Sequence, residues 1–566
     1  MVNPPLPVFG SEIMYALGRR LILASLLCST ILIRPTVVCA AENTGIIPDG
    51  VVVNYVETFN RHDTELYPQA ITNAHATDFL LKNIPRFQCP DKEVERVYYF
   101  RWWTFRKHLR KTADHGYVIT EFLATVPQGG PENVISCAGG HHFREGRWLR
   151  DAQYLNDYAR FWLTGPARTR ALRRYSFWVA DSLLQQARAT GDDSLARELL
   201  PALIQNYSEW VKLRRDPNGL FWQRDLFDGM EESSAFAEFG GKPNQDDNHY
   251  RVTINSYLAA DALAIAALAR RIGDEKTAAR FAVEAADIIA LRDAKLWDEK
   301  AQFYKVAWRG SAPQGTLRFN TDRELHGYVP WYFDNTLPAP ERDIAWRQLA
   351  DPQGFWAPYG PTSCEQRGRG FLITYTGRFC QWNGPAWPFA TAQTLTALAN
   401  LINLRAPSAD LQQYREDWLR TFQCYVRSHQ LRLDDGTLVP WIDENVNPVN
   451  GDWLSRSRFK VYNNGKWREP AQHSKDYNHS TFCDLVLTGV AGLRPAEGSA
   501  FTVNPIIPES WDYFCLDNVK YHRRNLTIIY DKTGLKYNQG AGLRVLIDHK
   551  PIAASAEIGR PLKCAL

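Results

Sequence analysis

The chain has 566 residues, of which 45% are hydrophobic and 23% charged, a composition typical of globular proteins and not of disordered ones. Its formal net charge of +4 is small, and no run of five Lys or Arg residues occurs, which argues against nucleic acid as a partner. The 19 tryptophans are the unusual feature. Core packing accounts for some of them, and the excess predicts surfaces that stack on apolar ring faces.

Residues 1–41 are predicted to be an export signal. Arg19 and Arg20 precede an apolar stretch, residues 21–33, and small residues follow at the predicted cleavage site. The apolar stretch is too short to span a bilayer, so no stable membrane insertion is expected after cleavage. The mature protein is therefore expected to be periplasmic or extracellular.

Residues 42–138 are predicted to pack as an N-terminal segment on the domain that follows, with a helix around residues 97–103 and a strand at 117–122. Residues 139–495 are predicted to form the main domain, in which apolar residues recur at helical spacing from about residue 172 to 427. The predicted helices, several joined by short Gly-containing turns, cover residues 173–189, 193–213, 253–271, 275–291, 386–404 and 409–427.

Paired helices over this length predict an (α/α)6 six-hairpin toroid, in which the long loops of one end meet in a single pocket. Residues 496–566 contain short alternating segments with turn residues between them, which predict a small antiparallel β domain. The predicted fold class is mainly α, with this β domain at the C-terminus.

Eight cysteines follow the predicted signal, and none lies in a CxxC motif or a Cys/His cluster with zinc spacing. We therefore expect no structural metal site and no cofactor, and bound Ca²⁺ stays open. Cys364 and Cys380 are the most plausible disulfide pair by proximity in sequence. Buried free thiols are an equally good interpretation.

Two acidic loops lie far apart in the sequence. One contains Asp225, Asp228, Glu231 and Glu232, and the other contains Glu444 in an Asn-rich run. Most enzymes that cleave glycosidic bonds use two carboxyl groups on opposite faces of one sugar. One keeps a proton for the leaving oxygen and the other is ionised to activate water. A solvated acidic turn is the alternative for each loop.

Four motifs on these and neighbouring loops resemble those of trehalases and processing α-glucosidases, glycoside hydrolase families 37 and 63, whose clan includes mannosylglycerate hydrolases. They are Phe143-Arg144-Glu145 with Trp148-Leu149-Arg150-Asp151, then Phe227-Asp228-Gly229-Met230-Glu231-Glu232-Ser233-Ser234, then Gln381-Trp382-Asn383-Gly384-Pro385-Ala386-Trp387-Pro388, and Glu444-Asn445-Val446-Asn447-Pro448 with Asn450-Gly451. The resemblance covers about residues 140–495.

The resemblance implies exo-acting, inverting hydrolysis of an oligosaccharide or polysaccharide-derived substrate, with Glu231 in the acid position and Glu444 as the base. The acid position holds Glu here and Asp in those families, so Glu232, Asp228 and Asp225 stay open as alternatives. The Gly-rich stretch that covers trehalose in trehalases is missing after Glu444, which disfavours a trehalase.

Further residues are predicted to bind sugar hydroxyls or to stack on the ring: Arg144, Arg147, Trp148, Asp151, Asp228, Glu232, Gln381, Trp382, Asn383, Trp387, Tyr477 and His479. For Arg147 a structural ion-pair cluster is an equal alternative. Ser480 is interpreted as the N-cap of a helix that begins near Phe482.

Two other functions stay open from the residues alone. A polysaccharide lyase or sugar epimerase on a similar toroid would use a Tyr or His base, from the group His473, Tyr477 and His479. A non-catalytic glycan-binding protein would keep the aromatic residues without needing Glu444. The reaction products distinguish these functions from hydrolysis.

Overall fold

A computed structural model describes residues 45–239, 248–376, 380–462 and 472–566. The predicted export signal, residues 1–41, lies outside the described residues. The chain from Gly45 onwards is mainly α-helical and forms a six-hairpin (α/α)6 toroid with a small C-terminal antiparallel β domain, as predicted.

The α-helices are α1 (Asp49–Arg61), α2 (Ala76–Asn83), α3 (Lys92–Lys107), α4 (Gly139–Gly146), α5 (Gln153–Leu163), α6 (Val179–Thr190), α7 (Ser194–Arg214), α8 (Ser234–Glu238), α9 (Val252–Arg271), α10 (Glu275–Leu296), α11 (Arg347–Ala350), α12 (Pro388–Leu404), α13 (Ala409–Ser428), α14 (Leu454–Tyr462) and α15 (Cys483–Leu485). Six of them, α6, α7, α9, α10, α12 and α13, confirm the six helices predicted from periodicity. Helices adjacent in sequence pack together, as in the pairs α9 with α10 and α12 with α13.

Helix α6 begins six residues later than predicted, and its first turn explains why. The backbone N–H groups of Ala180 and Asp181 donate to the Asp261 carboxylate at 2.9 and 3.0 Å. A side chain from the neighbouring helix thus satisfies the exposed donors of this first turn. Such a tertiary contact leaves no mark in the local sequence pattern.

Helix α9 is long and apolar enough to cross a membrane by composition, but 89% of its most apolar window is buried inside the protein. It packs against α6, α7 and α10. An apolar helix surrounded by other helices is the expected core element of an all-helical domain.

The strands are β1 (Arg86–Gln88), β2 (Leu109–Lys111), β3 (Tyr117–Ile119), β4 (Trp222–Arg224), β5 (Asn248–Tyr250), β6 (Trp297–Asp298), β7 (Phe303–Tyr304), β8 (Ala307–Trp308), β9 (Arg318–Phe319), β10 (Gln430–Arg432), β11 (Leu438–Pro440), β12 (Leu493–Pro495), β13 (Ala500–Val503), β14 (Tyr513–Tyr521), β15 (Arg524–Asp531), β16 (Gly542–Ile547), β17 (Lys550–Ser555) and β18 (Leu562–Ala565). The largest C-terminal sheet has the order β1-β14-β15-β16-β17. Its first strand comes from the N-terminal segment, so this segment and the β domain share one sheet.

The predicted disulfide between Cys364 and Cys380 is wrong. All eight cysteines from Cys89 to Cys564 are free thiols, the alternative that the sequence left open. The Cys364 sulfur lies 3.8 Å from a carboxylate oxygen of Asp322, and the Cys380 sulfur lies 3.8 Å from one of Glu444. Each thiol therefore faces a carboxyl group and not the other thiol.

Candidate active site

The acidic loop before α8 is held by one buried arginine. Arg251 contacts Asp225 at 2.6 Å and Asp228 at 2.7 Å, and all three side chains are buried. Ser233 donates a further hydrogen bond to Asp225, and Thr253 donates one to Asp228. Both carboxylates therefore share one buried guanidinium and further hydrogen bonds, and these contacts fix the shape of the loop.

Glu231, three residues after Asp228, lines a cavity that we call the inner cavity. Its other walls come from a stretch after β3, a short helix before α4, the segment before α6 and the loops that lead into α12 and α15. The residues around it include Glu121, Phe122, Cys137, Tyr175, Cys380, Trp382, Trp387, Phe389, Tyr477 and His479. Loops distant in sequence thus meet at one point, as the toroid predicts.

Glu444 lies directly behind the Cys380 wall of the inner cavity. Its side chain is 3% exposed, and one oxygen accepts a hydrogen bond from Ser474 at 3.1 Å. Val446 and Ala386 exchange two backbone hydrogen bonds, of 2.9 and 3.0 Å. These bonds fasten the loop that carries Glu444 to the loop of residues 381–388, which forms another wall of the cavity. We call this second loop the tryptophan loop.

The tryptophan loop presents flat apolar surfaces and a spare donor. The rings of Trp382 and Trp387 stack at 4.2 Å with their planes 10° apart. The buried Trp382 Nε1 has no hydrogen-bond partner among the described residues. His479 packs edge-on to Trp387, and its burial lowers its pKa well below the usual value, so its ring is neutral. Such a lining suits a neutral, hydroxyl-rich ring.

Glu121 is a cavity residue that the sequence analysis did not identify. Tyr477 donates a hydrogen bond to its carboxyl group, and the thiol of Cys137 lies 3.5 Å from the same group. The only sequence signal was an acidic residue directly after an apolar strand, which is also common at ordinary strand ends. Its position in the N-terminal segment gave no reason to connect it with the two acidic loops.

The three carboxyl groups of the site hold protons more strongly than ordinary glutamates. Desolvation by the surrounding protein raises the pKa of Glu231 and of Glu444 to about 8, and that of Glu121 to about 7. Negative charge on Glu121 raises the pKa of both other groups further, and Glu231 also raises that of Glu444. The site therefore retains at least one proton near neutral pH, as acid catalysis needs.

The raised pKa of Glu121 predicts a pH-dependent stability. The folded state binds this proton more tightly than the unfolded state, so wild-type stability falls as the pH rises from about 4.5 towards 8. Glu121→Gln removes this loss, on the order of 1–3 kcal/mol or roughly 1–3 °C in Tm. Calorimetry at pH 5 and pH 8 should show the variant losing less Tm than wild type over this interval. Equal losses in both proteins would contradict the burial argument.

Eight of the twelve predicted binding residues are not among those that line the inner cavity, and the first four are Arg144, Arg147, Trp148 and Asp151. Arg144 pairs with Asp181 at 3.3 Å, and Asp484 accepts hydrogen bonds from both Arg147 and Trp148 at 2.7 Å. These groups form a buried ion-pair cluster within the toroid, which was the alternative interpretation of Arg147. The fourth, Asp151, is exposed, and its carboxylate accepts the backbone N–H of Gln153 at the start of α5.

The remaining predicted residues support the cavity walls. Gln381 accepts a hydrogen bond from Arg458 at 2.5 Å, and Asn383 donates to the Gly370 carbonyl at 2.8 Å. Asp228 is held by Arg251, as described above. Glu232 is next to Glu231 but has a positive φ of 53°, and it is not among the residues that line the inner cavity. Within the acidic loop, Glu231 is thus the carboxyl group at the cavity.

The interpretation of Ser480 as a helix N-cap is wrong. Its hydroxyl accepts a hydrogen bond from Tyr425 at 3.1 Å. The carboxylate of Glu145 takes the capping role and accepts the backbone N–H groups of Phe482, Cys483 and Asp484 at 2.7–3.1 Å. A carboxylate at a helix start satisfies the unpaired donors there, even when it comes from a distant part of the chain.

A second, larger cavity adjoins the first, and we call it the outer cavity. Its volume is about 580 Å³, against about 60 Å³ for the inner cavity. The two cavities share three wall residues, Gln128, Ile135 and Tyr175. The outer cavity falls in the size range of typical ligand pockets, and the inner cavity is well below that range.

The chain is similar to known protein families and to solved structures. The family model described as mannosylglycerate hydrolase MGH1-like glycoside hydrolase domain matches residues 131–480, and that of the glycosyl hydrolase family 65 C-terminal domain matches residues 493–553. A solved structure named sialidase is 36% identical with a TM-score of 0.81. The match covers 92% of this chain and 45% of that one, so the chain spans less than half of that protein's length.

Two more distant structures also match. A family 78 rhamnosidase of Bacillus sp. GL1 is 13% identical, with a TM-score of 0.50 over 82% of this chain and 41% of that one. The family 63 mannosylglycerate hydrolase of Thermus thermophilus is 16% identical, with a TM-score of 0.37 over 73% of this chain and 99% of that one. The rhamnosidase match supports the fold alone.

Proposed function

Because the chain belongs to the mannosylglycerate hydrolase MGH1-like glycoside hydrolase family, we propose that it is an exported glycosidase that removes a terminal sugar with inversion. Glycosidic bond hydrolysis follows from the family. The single observation that carries the finer proposal is that Glu231 lines the inner cavity while Glu444, from a separate loop, lies behind its Cys380 wall, 3.8 Å from the Cys380 sulfur.

In this mechanism Glu231 is the general acid. Its raised pKa keeps the proton that the glycosidic oxygen receives as its bond to the anomeric carbon breaks. Glu444 is the general base, and it accepts a proton from the water whose oxygen forms the new bond to that carbon. The released terminal sugar carries a hydroxyl group from water on its anomeric carbon. The leaving group carries the proton that came from Glu231.

The base must be ionised, although desolvation raises the pKa of Glu444 to about 8 in the empty site. The raised pKa makes it a stronger base once ionised, which favours proton removal from water. Because the three carboxyl groups repel one another, their protons come off as a coupled set. The reactive arrangement needs Glu444 ionised while Glu231 keeps its proton.

Exo action is supported by the sizes of the two cavities. The inner cavity, at about 60 Å³, is much smaller than the adjoining outer cavity, at about 580 Å³. A terminal sugar that enters the inner cavity therefore leaves the rest of the saccharide in the outer one. Export rests on the sequence of residues 1–41, and N-terminal sequencing of the mature protein tests it.

Hydrolysis is preferred over the lyase and epimerase alternatives. The hydroxyl of Tyr477 donates to Glu121, so this tyrosine enters the site as a protonated donor. Both alternatives would need Tyr477, His473 or His479 as the base, without two carboxyl groups at one sugar. The family assignment and the carboxyl arrangement both support the glycosidase.

The proposal predicts the products of a reaction in ¹⁸O-labelled water. A cleaved oligosaccharide should yield a single kind of monosaccharide from the earliest time point. The ¹⁸O label should be in the hydroxyl group on the anomeric carbon of this monosaccharide. Mass spectrometry of the first products measures both properties. Larger fragments at early times would contradict exo action, and an unsaturated product without label would contradict hydrolysis.

A further inference from the structure

The walls of the outer cavity carry more positive charge than negative charge. Arg170 and Arg174 line it, and neither has a carboxylate partner among the described residues. The one acidic wall residue, Glu132, lies 3.8 Å from Arg110. The remaining walls are largely apolar and include Pro127, Pro131, Pro166 and Phe161.

One wall of the outer cavity is fixed before any ligand binds. Asn133, which is buried, donates hydrogen bonds to the carbonyls of Phe122 and Ala124 at 2.9 Å and accepts one from Val126. These bonds hold the loop of residues 127–135 against the stretch that carries Glu121. The guanidinium of Arg174 lies 5.7 Å from the ring centre of Tyr175 and donates to the carbonyl of Gln128 at 3.2 Å.

Tyr175 and Gln128 also line the inner cavity, so the guanidinium of Arg174 lies beside the wall that the two cavities share. We propose that the outer cavity binds the leaving-group saccharide and that Arg170 and Arg174 select one with an anionic group. This inference rests on the proposed function, because it takes the inner cavity as the site of the terminal sugar. Guanidinium groups bind planar carboxylates and sulfates through paired hydrogen bonds, and Tyr175 offers an aromatic face to the ring.

The test measures binding to the full-length protein with the Glu444→Gln substitution, which suppresses turnover. Calorimetric titration would compare three probes of matched length, namely an oligogalacturonate, a sulfated oligosaccharide and an uncharged oligosaccharide. We expect one anionic probe to bind at least 10-fold more tightly than the uncharged probe. Removing both guanidinium groups, by Arg170→Ala and Arg174→Ala, should weaken that binding roughly 10- to 100-fold.

Arg168→Ala provides the matched control. Arg168 is an exposed arginine two residues before Arg170, but it does not line the outer cavity, and it donates to the Thr164 carbonyl. Its loss should leave binding unchanged. Raising the salt concentration should weaken binding to the parent protein and have little effect on the Arg170→Ala, Arg174→Ala variant, because exposed charges are screened.

The outcomes separate this inference from the proposed function. If the uncharged probe binds as tightly as both anionic probes, or if the Arg168→Ala control weakens binding as much as the double variant, the anionic selectivity is overturned. If an anionic probe binds through Arg170 and Arg174 but the wild-type protein leaves it and other saccharides uncleaved, the inference holds and the hydrolase proposal fails. If the binding of the oligogalacturonate depends on the two arginines, the selected group is a uronate carboxylate. If the binding of the sulfated oligosaccharide depends on them, the selected group is a sulfate.

Discussion

Glu444→Gln is expected to lower kcat by roughly 10² to 10⁴ while substrate binding is retained. Glutamine has nearly the same shape as glutamate, and it can still accept the hydrogen bond from Ser474, but it cannot take a proton from water. The loss should therefore fall on kcat with little change in KM. Steady-state kinetics on any cleaved oligosaccharide measures it.

Asp452→Asn is the control for this loop. Asp452 is an exposed carboxylate of the same loop, where it accepts hydrogen bonds from Tyr375 and Asn450, and it does not line the inner cavity. Its replacement should change kcat by no more than a few fold. A Glu444→Gln variant with activity as close to wild type as that of Asp452→Asn would remove Glu444 from the mechanism.

Glu231→Ala is expected to lose activity in proportion to how much the leaving group needs protonation. A natural disaccharide leaves as a strongly basic alkoxide, so its kcat/KM should fall by roughly 10² to 10⁴. An aryl glycoside of the same sugar, such as a nitrophenyl glycoside, leaves without that proton and should lose much less. The ratio of the two losses measures the acid function separately from general damage to the site.

Glu232→Ala tests the neighbouring carboxyl group. Glu232 is next to Glu231 in sequence and raises its pKa by electrostatic repulsion, but it is not a residue of the inner cavity wall. Its removal should lower the pKa of the acid and shift the high-pH limb of activity to lower pH, without leaving-group selectivity. A selective loss on the natural disaccharide in Glu232→Ala, and not in Glu231→Ala, would move the acid assignment by one residue.

The helices were predictable because their signals are local. The apolar spacing within α9 and the turn at Ile272–Asp274 can both be recognised from consecutive residues of the sequence. The structure contains both the helix and the turn. The late start of α6 was not predictable, because it depends on Asp261 from a helix eighty residues later. Contacts of that kind are set by packing and have no sequence spacing of their own.

The site was predictable only in part, for a similar reason. A polar cluster before the helix near Phe482 led to Tyr477, and motif resemblance led to Glu231, Trp382 and Trp387, all of which line the inner cavity. It also led to Arg144 and Arg147, but a motif gives residue types and not the partners that their charges find. In the structure Asp181 and Asp484 hold these arginines, and Glu121, which has no motif, lies in the cavity.

The anomeric configuration of the first product tests the two-carboxyl mechanism most directly. Water activated by Glu444 attacks the face opposite the leaving group, so the released sugar should have the inverted configuration. Proton NMR of the first product, recorded before mutarotation, should show this anomer alone. A product with the substrate's own configuration would contradict the account, because it requires a nucleophile on the enzyme, a role in which the Glu444 carboxylate would attack the anomeric carbon itself.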